Sequence, residues 1–132
     1  MRIPLLVPSL GLVCLLASGC RIERVYNPGP TLVACQSEEQ MRKGIKEGLK
    51  KREWSIAKDE SGRIEATVFV RANRADIGID YTKDQFTISY LDSQNLQYMK
   101  LSERLSLIHC NYNRWIRYLL RDITVAASHA EQ

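Results

Sequence analysis

The stretch IEATVFVRANRADIGIDYTKDQFTISY, residues 64–90, decides the fold. Apolar side chains occupy every second position within residues 64–70, 75–81 and 86–90, and polar residues fill most of the positions between them. A period of two is typical of strands with one buried face, and the intervening residues favour turns. Together with residues 54–58, which precede another turn, the pattern predicts four strands in an antiparallel meander.

Helical periodicity flanks the meander on both sides. Before it, Ser37 with Gln40 three residues later has the spacing of a capping box, and an apolar stripe follows. After it, residues 111–127 carry the clearest amphipathic pattern of the chain. We therefore expect a two-layer α+β domain: helix, four-stranded antiparallel meander, helix, with both helices on one face of the sheet. Residues 31–34 are predicted to add a short strand.

Length and charge bound the function. The 132 residues suit one domain, and 45% hydrophobic with 26% charged residues is ordinary globular composition. The net charge is +4, and Arg2 supplies one of those charges. Because basic and acidic residues are interleaved, the sequence lacks the basic patch of a nucleic-acid-binding protein, and we expect no nucleic-acid partner.

The N-terminus has the pattern of an export signal. Arg2 precedes fourteen uncharged, mostly apolar residues, 3–16, which is the length of a signal h-region and too short for the roughly 20 residues that span a bilayer. Residues 16–20, Leu-Ala-Ser-Gly-Cys, then resemble the lipobox of bacterial lipoproteins. The alternative is an ordinary secretory signal that ends near a cysteine.

The lipobox resemblance implies removal of residues 1–19 and a diacylglyceryl thioether on Cys20, with a fatty acid such as palmitate on the new amine. Two or three acyl chains give a stable membrane anchor. Arg21, rather than Asp, after the lipidated cysteine implies the outer membrane, facing the periplasm. Residues 20–30 contain Pro and Gly and are predicted to be a tether, followed by a single domain at 31–127 and a frayed tail at 128–132.

Two further segments carry a family resemblance. Residues 88–98, ISYLDSQNLQY, and residues 108–115, IHCNYNRW, resemble the signature of a family of small uncharacterised bacterial envelope lipoproteins. The resemblance extends from about Thr31 to Ile123. It implies a fold and a cell-envelope location, and it implies no catalytic residues.

The same segments contain polar and aromatic residues that allow two interpretations. They are turn formers, helix caps and packing rings at the junction of sheet and helix, or they line a recess for a ligand or partner. The residues concerned are Tyr90, Ser93, Asn95, Tyr98, His109, Asn111 and Tyr112.

Enzymatic and metal chemistry have little support in the sequence. His109 is the only histidine inside the predicted domain, and no spacing selects a nucleophile or an acid to accompany it. Its neighbour Cys110 does not make a metal motif, because adjacent ligands rarely both reach one ion. We expect no enzyme activity, no metal and no cofactor.

Cysteine arithmetic predicts a disulfide. Cys14 leaves with the signal and Cys20 is alkylated, so Cys35 and Cys110 remain as a candidate pair in an oxidising compartment. They meet only if residues 92–108 carry the chain back along the sheet.

The sequence thus predicts a membrane-anchored lipoprotein with a non-enzymatic envelope role, in assembly or in binding an envelope protein partner. The alternative is small-ligand or metal binding at the junction between Tyr90 and Tyr112.

Overall fold

Two helices and two antiparallel sheets form the fold in the computed structural model, which describes residues 21–129. The elements in chain order are β1 (Ile22–Arg24), β2 (Thr31–Leu32), α1 (Glu38–Lys51), β3 (Ser55–Glu60), β4 (Arg63–Val70), β5 (Asn73–Tyr81), β6 (Gln85–Gln94), β7 (Met99–Ser102), β8 (Leu105–His109) and α2 (Cys110–His129). The predicted α+β class is confirmed.

The larger sheet has five strands in the order β2-β6-β5-β4-β3. Its last four strands in sequence are the predicted meander, and β4 pairs with β5 along its whole length, from Arg63 opposite Asp80 to Val70 opposite Asn73. The short strand predicted at residues 31–34 forms at Thr31–Leu32 and pairs with the start of β6. The period of two therefore located β4, β5 and most of β6 correctly.

The smaller sheet has three strands in the order β1-β8-β7. It contradicts the predicted single four-stranded sheet with both helices on one face, and it uses segments that the sequence pattern assigned elsewhere. Residues 22–24 belong to the predicted tether but form β1, and residues 92–108, predicted to be a returning connection, include β7 and most of β8. Backbone pairing with a distant strand, rather than local pattern, makes these residues extended.

The two helices pack closely and antiparallel. In α1, Ser37 caps the helix as predicted, since its Oγ accepts a hydrogen bond from the Gln40 backbone N–H at 3.0 Å. Gln40 Oε1 accepts from the backbone N–H of Gln36 at 2.8 Å, one residue earlier than a capping box requires. Gly44 faces Ala127 of α2 so closely that a Cβ would overlap its backbone. This glycine lets the helices approach.

One core joins both helices with the inner face of the larger sheet. The predicted stripe of α1, namely Met41, Ile45 and Leu49, is fully buried. Ile108 of β8 is also fully buried, so the smaller sheet contributes to the same core. The core fixes the sheet-to-helix junction where the sequence placed its candidate residues.

Candidate functional site

The junction contains three packed tyrosine rings. Tyr90 of β6 stacks on Tyr98, with ring centroids 4.3 Å apart and planes inclined by 15°. Tyr112 of α2 meets Tyr90 edge-on at 5.6 Å and 78°, and it is fully buried. Offset stacking and edge-to-face contacts are the favourable arrangements of aromatic pairs. The structure therefore brings these three predicted site residues together, as a packed cluster.

The hydroxyl groups of this cluster bond within the protein. Tyr90 Oη lies 2.8 Å from Ser93 Oγ, and Tyr98 Oη donates to Ser106 Oγ at 3.2 Å. Burial raises the pKa of Tyr90 and of Tyr112 above the ordinary tyrosine value. Both phenols therefore stay neutral near pH 7, where a phenol is a poor base and a poor nucleophile.

Asn95 lies apart from the rings and stabilises a turn. Its backbone has a φ of 59°, in the left-handed region that asparagine tolerates better than most residues. Its Nδ2 donates to the carbonyl oxygen of Ala72 at 2.6 Å, which ties the end of β6 to the turn between β4 and β5. For Asn95, the interpretation as a turn former accounts for the geometry.

His109 and Asn111 flank the start of α2. The Nδ1 atom of His109 accepts a hydrogen bond from the backbone N–H of Asn111 at 3.2 Å. One ring nitrogen of His109 is thus engaged by the helix N-terminus, where backbone N–H groups lack intrahelical partners. Among residues 21–129, no group of three or more His, Cys, Asp or Glu side chains is placed to hold a metal ion.

Asn113 is a structural residue that the sequence analysis interpreted as a local turn or cap former and left out of the candidate site. It is 1% exposed and connects α2 to the N-terminal segment. Its Oδ1 accepts from the backbone N–H of Tyr26 at 2.7 Å, and its Nδ2 donates to the carbonyl oxygen of Arg24 at 2.7 Å and to Glu23 Oε2 at 3.0 Å. The one indication of this role in the sequence is that the amide of Asn113 lies beside the apolar stripe of a predicted helix.

The chain next to the predicted lipidation site is fixed to the domain. The backbone N–H of Cys110 donates to the carbonyl oxygen of Arg21 at 2.9 Å, and that of Val25 donates to Ser106 at 2.9 Å. Between these bonds, β1 pairs antiparallel with β8. Residues 21–25 therefore extend the folded domain, and the predicted tether is absent there. Cys20 itself lies outside the described residues.

The smaller sheet turns an apolar face outward. Paired residues of an antiparallel ladder share a face, so Arg24, Leu107 and Met99 lie on the same side. Ile22, two residues from Arg24, joins them, whereas buried Ile108 faces the core. Ile22 is 43% exposed and Met99 is 55% exposed. His109, the partner of Ile22, lies on this side as well. We call this surface of Ile22, Arg24, Met99, Leu107 and His109 the anchor face.

The predicted disulfide between Cys35 and Cys110 does not form. Cys35 carries a thiol whose Sγ donates to the carbonyl oxygen of Ala127 at 3.4 Å. Along α2, Ala127 and Cys110 are about 25 Å apart, whereas disulfide-bonded cysteines have Cα atoms within about 7 Å. Cys110 is 8% exposed at the start of α2, at the opposite end of that helix from Cys35.

A charged cleft of about 450 Å³ lies between α1 and the turn from β3 to β4. Asp59 is its centre: Arg42 donates two hydrogen bonds to this carboxylate, at 3.0 and 2.6 Å, and Lys46 donates a third at 3.1 Å. The hydrogen bonds from Arg42 are the main reason that the pKa of Asp59 lies below its ordinary value. A carboxylate that is ionised and accepts several hydrogen bonds from basic side chains is suited to an ion-pair network and is a poor proton-transfer group. No local pattern in the sequence pairs Asp59 with α1.

The chain matches no known family model, no curated protein and no solved structure. The resemblance to small envelope lipoproteins therefore remains a prediction. Neither helix within residues 21–129 is long and apolar enough to cross a bilayer.

Proposed function

We propose that this chain is a lipoprotein of the bacterial cell envelope, anchored through Cys20 to the periplasmic side of the outer membrane. Its role there is non-enzymatic: assembly, or binding of an envelope protein. The uncharged segment at residues 3–16 and the lipobox-like residues 16–20 support export and lipidation. Arg21 at the position after the modified cysteine supports the outer membrane as the destination.

The attachment of β1 to β8 is the observation that carries this proposal. The first described residue, Arg21, accepts a backbone hydrogen bond from Cys110 and directly follows Cys20. A lipid on Cys20 would therefore hold the folded domain at the bilayer, with no spacer between them. A free ten-residue tether would instead have allowed roughly 33 Å of separation.

A non-enzymatic role is supported by the bonding of the candidate polar groups. The hydroxyls of Tyr90 and Tyr98 have serine partners, and the carboxylate of Asp59 has basic partners. The alternative of ligand or metal binding at the junction between Tyr90 and Tyr112 gains no support from this packing, because the rings fill the space between the elements.

One observation favours a second candidate, an exported domain without a lipid. The backbone N–H of Cys110 donates to the carbonyl oxygen of Arg21 at 2.9 Å, so after removal of residues 1–19 Cys20, the residue before Arg21, would be a candidate disulfide partner for Cys110. A sulfur that carries a thioether to a lipid cannot also form a disulfide. The two candidates therefore assign mutually exclusive fates to Cys20.

Fractionation of two cysteine variants separates the candidates. Under the proposed function, Cys20→Ala prevents lipid attachment, and no mature, lipidated protein is found in the membrane fraction. Cys110→Ala, the matched control, yields mature protein that stays with the membrane. Under the second candidate the parent and both variants occupy the same soluble periplasmic fraction. A parent protein found there would overturn the lipid anchor.

A further inference from the structure

We propose that the anchor face lies against the bilayer, with its apolar side chains among the lipid headgroups and its arginines on anionic phosphates. This inference rests on the proposed lipidation of Cys20 and adds to it an orientation of the domain. The occupant of the anchor face is thus the membrane itself.

The apolar character of the anchor face is the first argument. An antiparallel sheet that faces water on one side normally presents polar residues there. Here Met99 is 55% exposed and Ile22 is 43% exposed, and Leu101, at an irregularity in β7, adds a side chain that is 52% exposed. Several exposed apolar side chains on one small sheet, unlike a single exposed residue, are typical of a surface that another phase or molecule covers.

Charge is the second argument. Exposed Arg24 lies in the anchor face, and exposed Arg21 and Arg104 border it. The acidic residues of the same sheet have partners of their own: Glu23 accepts a hydrogen bond from Asn113, and Glu103, which lies beside Arg24 and Arg104, accepts one from Lys100 at 3.4 Å. Basic side chains next to an apolar surface fit the negative potential of anionic lipids.

The position of the chain end is the third argument. Ile22 of the anchor face is two residues from Cys20. The backbone hydrogen bond between Cys110 and Arg21 restricts how far a group on Cys20 can lie from Ile22. Two consecutive residues are at most about 3.8 Å apart between Cα atoms. Acyl chains on Cys20 would therefore enter the bilayer beside Ile22, and the surface around Ile22 would be the first to reach the lipid.

Arg24 and Arg104 supply a headgroup contact. Both line a cleft of about 180 Å³ at the edge of the anchor face, together with Glu103, whose carboxylate is paired with Lys100. Guanidinium groups bind phosphate oxygens through paired N–H donors. In a domain held at the membrane, the phosphate of a lipid headgroup is the anion available to bind Arg24 and Arg104.

Photocrosslinking of the full chain in cells tests the proposal. The photoreactive residue p-benzoylphenylalanine replaces Met99 in one variant and Phe69, which is 70% exposed on the larger sheet, in the matched control. We expect phospholipid adducts at position 99, sensitive to phospholipase, and several-fold fewer at position 69. A protein adduct, an adduct with a second copy, or no adduct at position 99 would overturn the proposal.

Mass analysis of the N-terminus in the same samples separates this inference from the proposed function. A thioether lipid on Cys20 without lipid adducts at position 99 overturns the orientation and leaves the anchor standing. A missing thioether overturns the anchor, and lipid adducts at position 99 would then support the anchor face alone.

A second measurement isolates the headgroup contact. The purified lipidated protein is placed in vesicles of phosphatidylcholine with or without phosphatidylglycerol. We expect phosphatidylglycerol to raise the yield of lipid adducts at position 99 several-fold, and Arg24→Gln with Arg104→Gln to remove that increase. Equal yields in both vesicles would overturn the role of the two arginines.

Discussion

The two sheets of this protein treat their outer faces differently. In the larger sheet, outward side chains pair across strands, as in Arg63 with Asp80 at 2.9 Å and Arg74 with Asp92 at 2.7 Å. In the smaller sheet, the anchor face exposes Ile22 and Met99. The outer face of the larger sheet thus combines ion pairs with one strongly exposed ring, Phe69, which is 70% exposed, whereas the anchor face combines exposed apolar side chains with an arginine. Buried apolar residues such as Ile77 on the inner face of the larger sheet stabilise the fold, whereas exposed Met99 on the anchor face is available for contact.

The largest effect should come from an apolar truncation in the larger sheet. Ile77, in the middle of β5, is fully buried, so Ile77→Ala should lower the free energy of unfolding by about 2–5 kcal/mol. Met99→Ala, the matched change on the anchor face, should alter it by no more than about 0.5 kcal/mol. Chemical denaturation measures both, and similar losses would contradict the difference between the two sheets.

A smaller effect is expected where the smaller sheet is attached to α2. Asn113→Ala removes the partners of the Tyr26 N–H and the Arg24 carbonyl, which should lower the free energy of unfolding by about 1–3 kcal/mol. It should also speed amide hydrogen exchange in β1 while sparing β5. Asn27→Ala, at an exposed asparagine, serves as the control. Unchanged exchange in β1 would mean that other contacts hold this strand.

The stability of the helix pair that packs on the larger sheet should depend on pH. Asp122 of α2 is 7% exposed and forms an ion pair with Arg52. The hydrogen bond from Arg52 is the main cause of the lowered pKa of Asp122, so its contribution is complete above the unfolded carboxyl pKa of about 4 and is lost as pH falls through the lower folded value.

Asp122→Asn should therefore be less stable than the parent at neutral pH, and the difference should shrink below about pH 4. Thermal unfolding across this range measures it. Asp84→Asn, which changes an exposed carboxylate, should track the parent throughout. A difference that grows towards low pH would contradict the assigned role of Asp122.

The smallest effect is expected on the outer face of the larger sheet. Arg63 lies across Gly78, where a Cβ would come within 2.6 Å of Arg63 Nη2, and it pairs with Asp80, whose side chain is 56% exposed. A double-mutant cycle of Arg63→Met and Asp80→Asn should give a coupling energy of about 0.2–1 kcal/mol. A larger coupling would show that this face needs its ion pairs for stability.

The larger sheet and the helices were predictable because their signals are local. Alternation from Ile64 to Tyr90 locates β4, β5 and most of β6, and Ser37 with the stripe at Met41, Ile45 and Leu49 locates α1. The close approach of the helices was not predicted, because the role of Gly44 depends on Ala127, which is distant in sequence.

The smaller sheet was missed because its signals are distant. Ile22 pairs with His109, which is 87 residues later. Because β1 has only three residues, its sequence is too short to show an alternating pattern. In β8, apolar Leu107 and Ile108 are adjacent, which hides the alternation that marks a strand. For the same reason the sequence analysis grouped Tyr90, Tyr98 and Tyr112, which the structure brings together, but wrongly paired Cys35 with Cys110. Neighbouring elements could be inferred, while long-range placement could not.

Intact-mass measurement of the protein purified from envelopes tests the central claim most directly. The proposal predicts a chain that begins at Cys20 and carries a diacylglyceryl thioether and an amide-linked fatty acid, with a mass that a reductant leaves unchanged. A chain without fatty acid, whose mass increases on reduction as a disulfide between Cys20 and Cys110 requires, would contradict it.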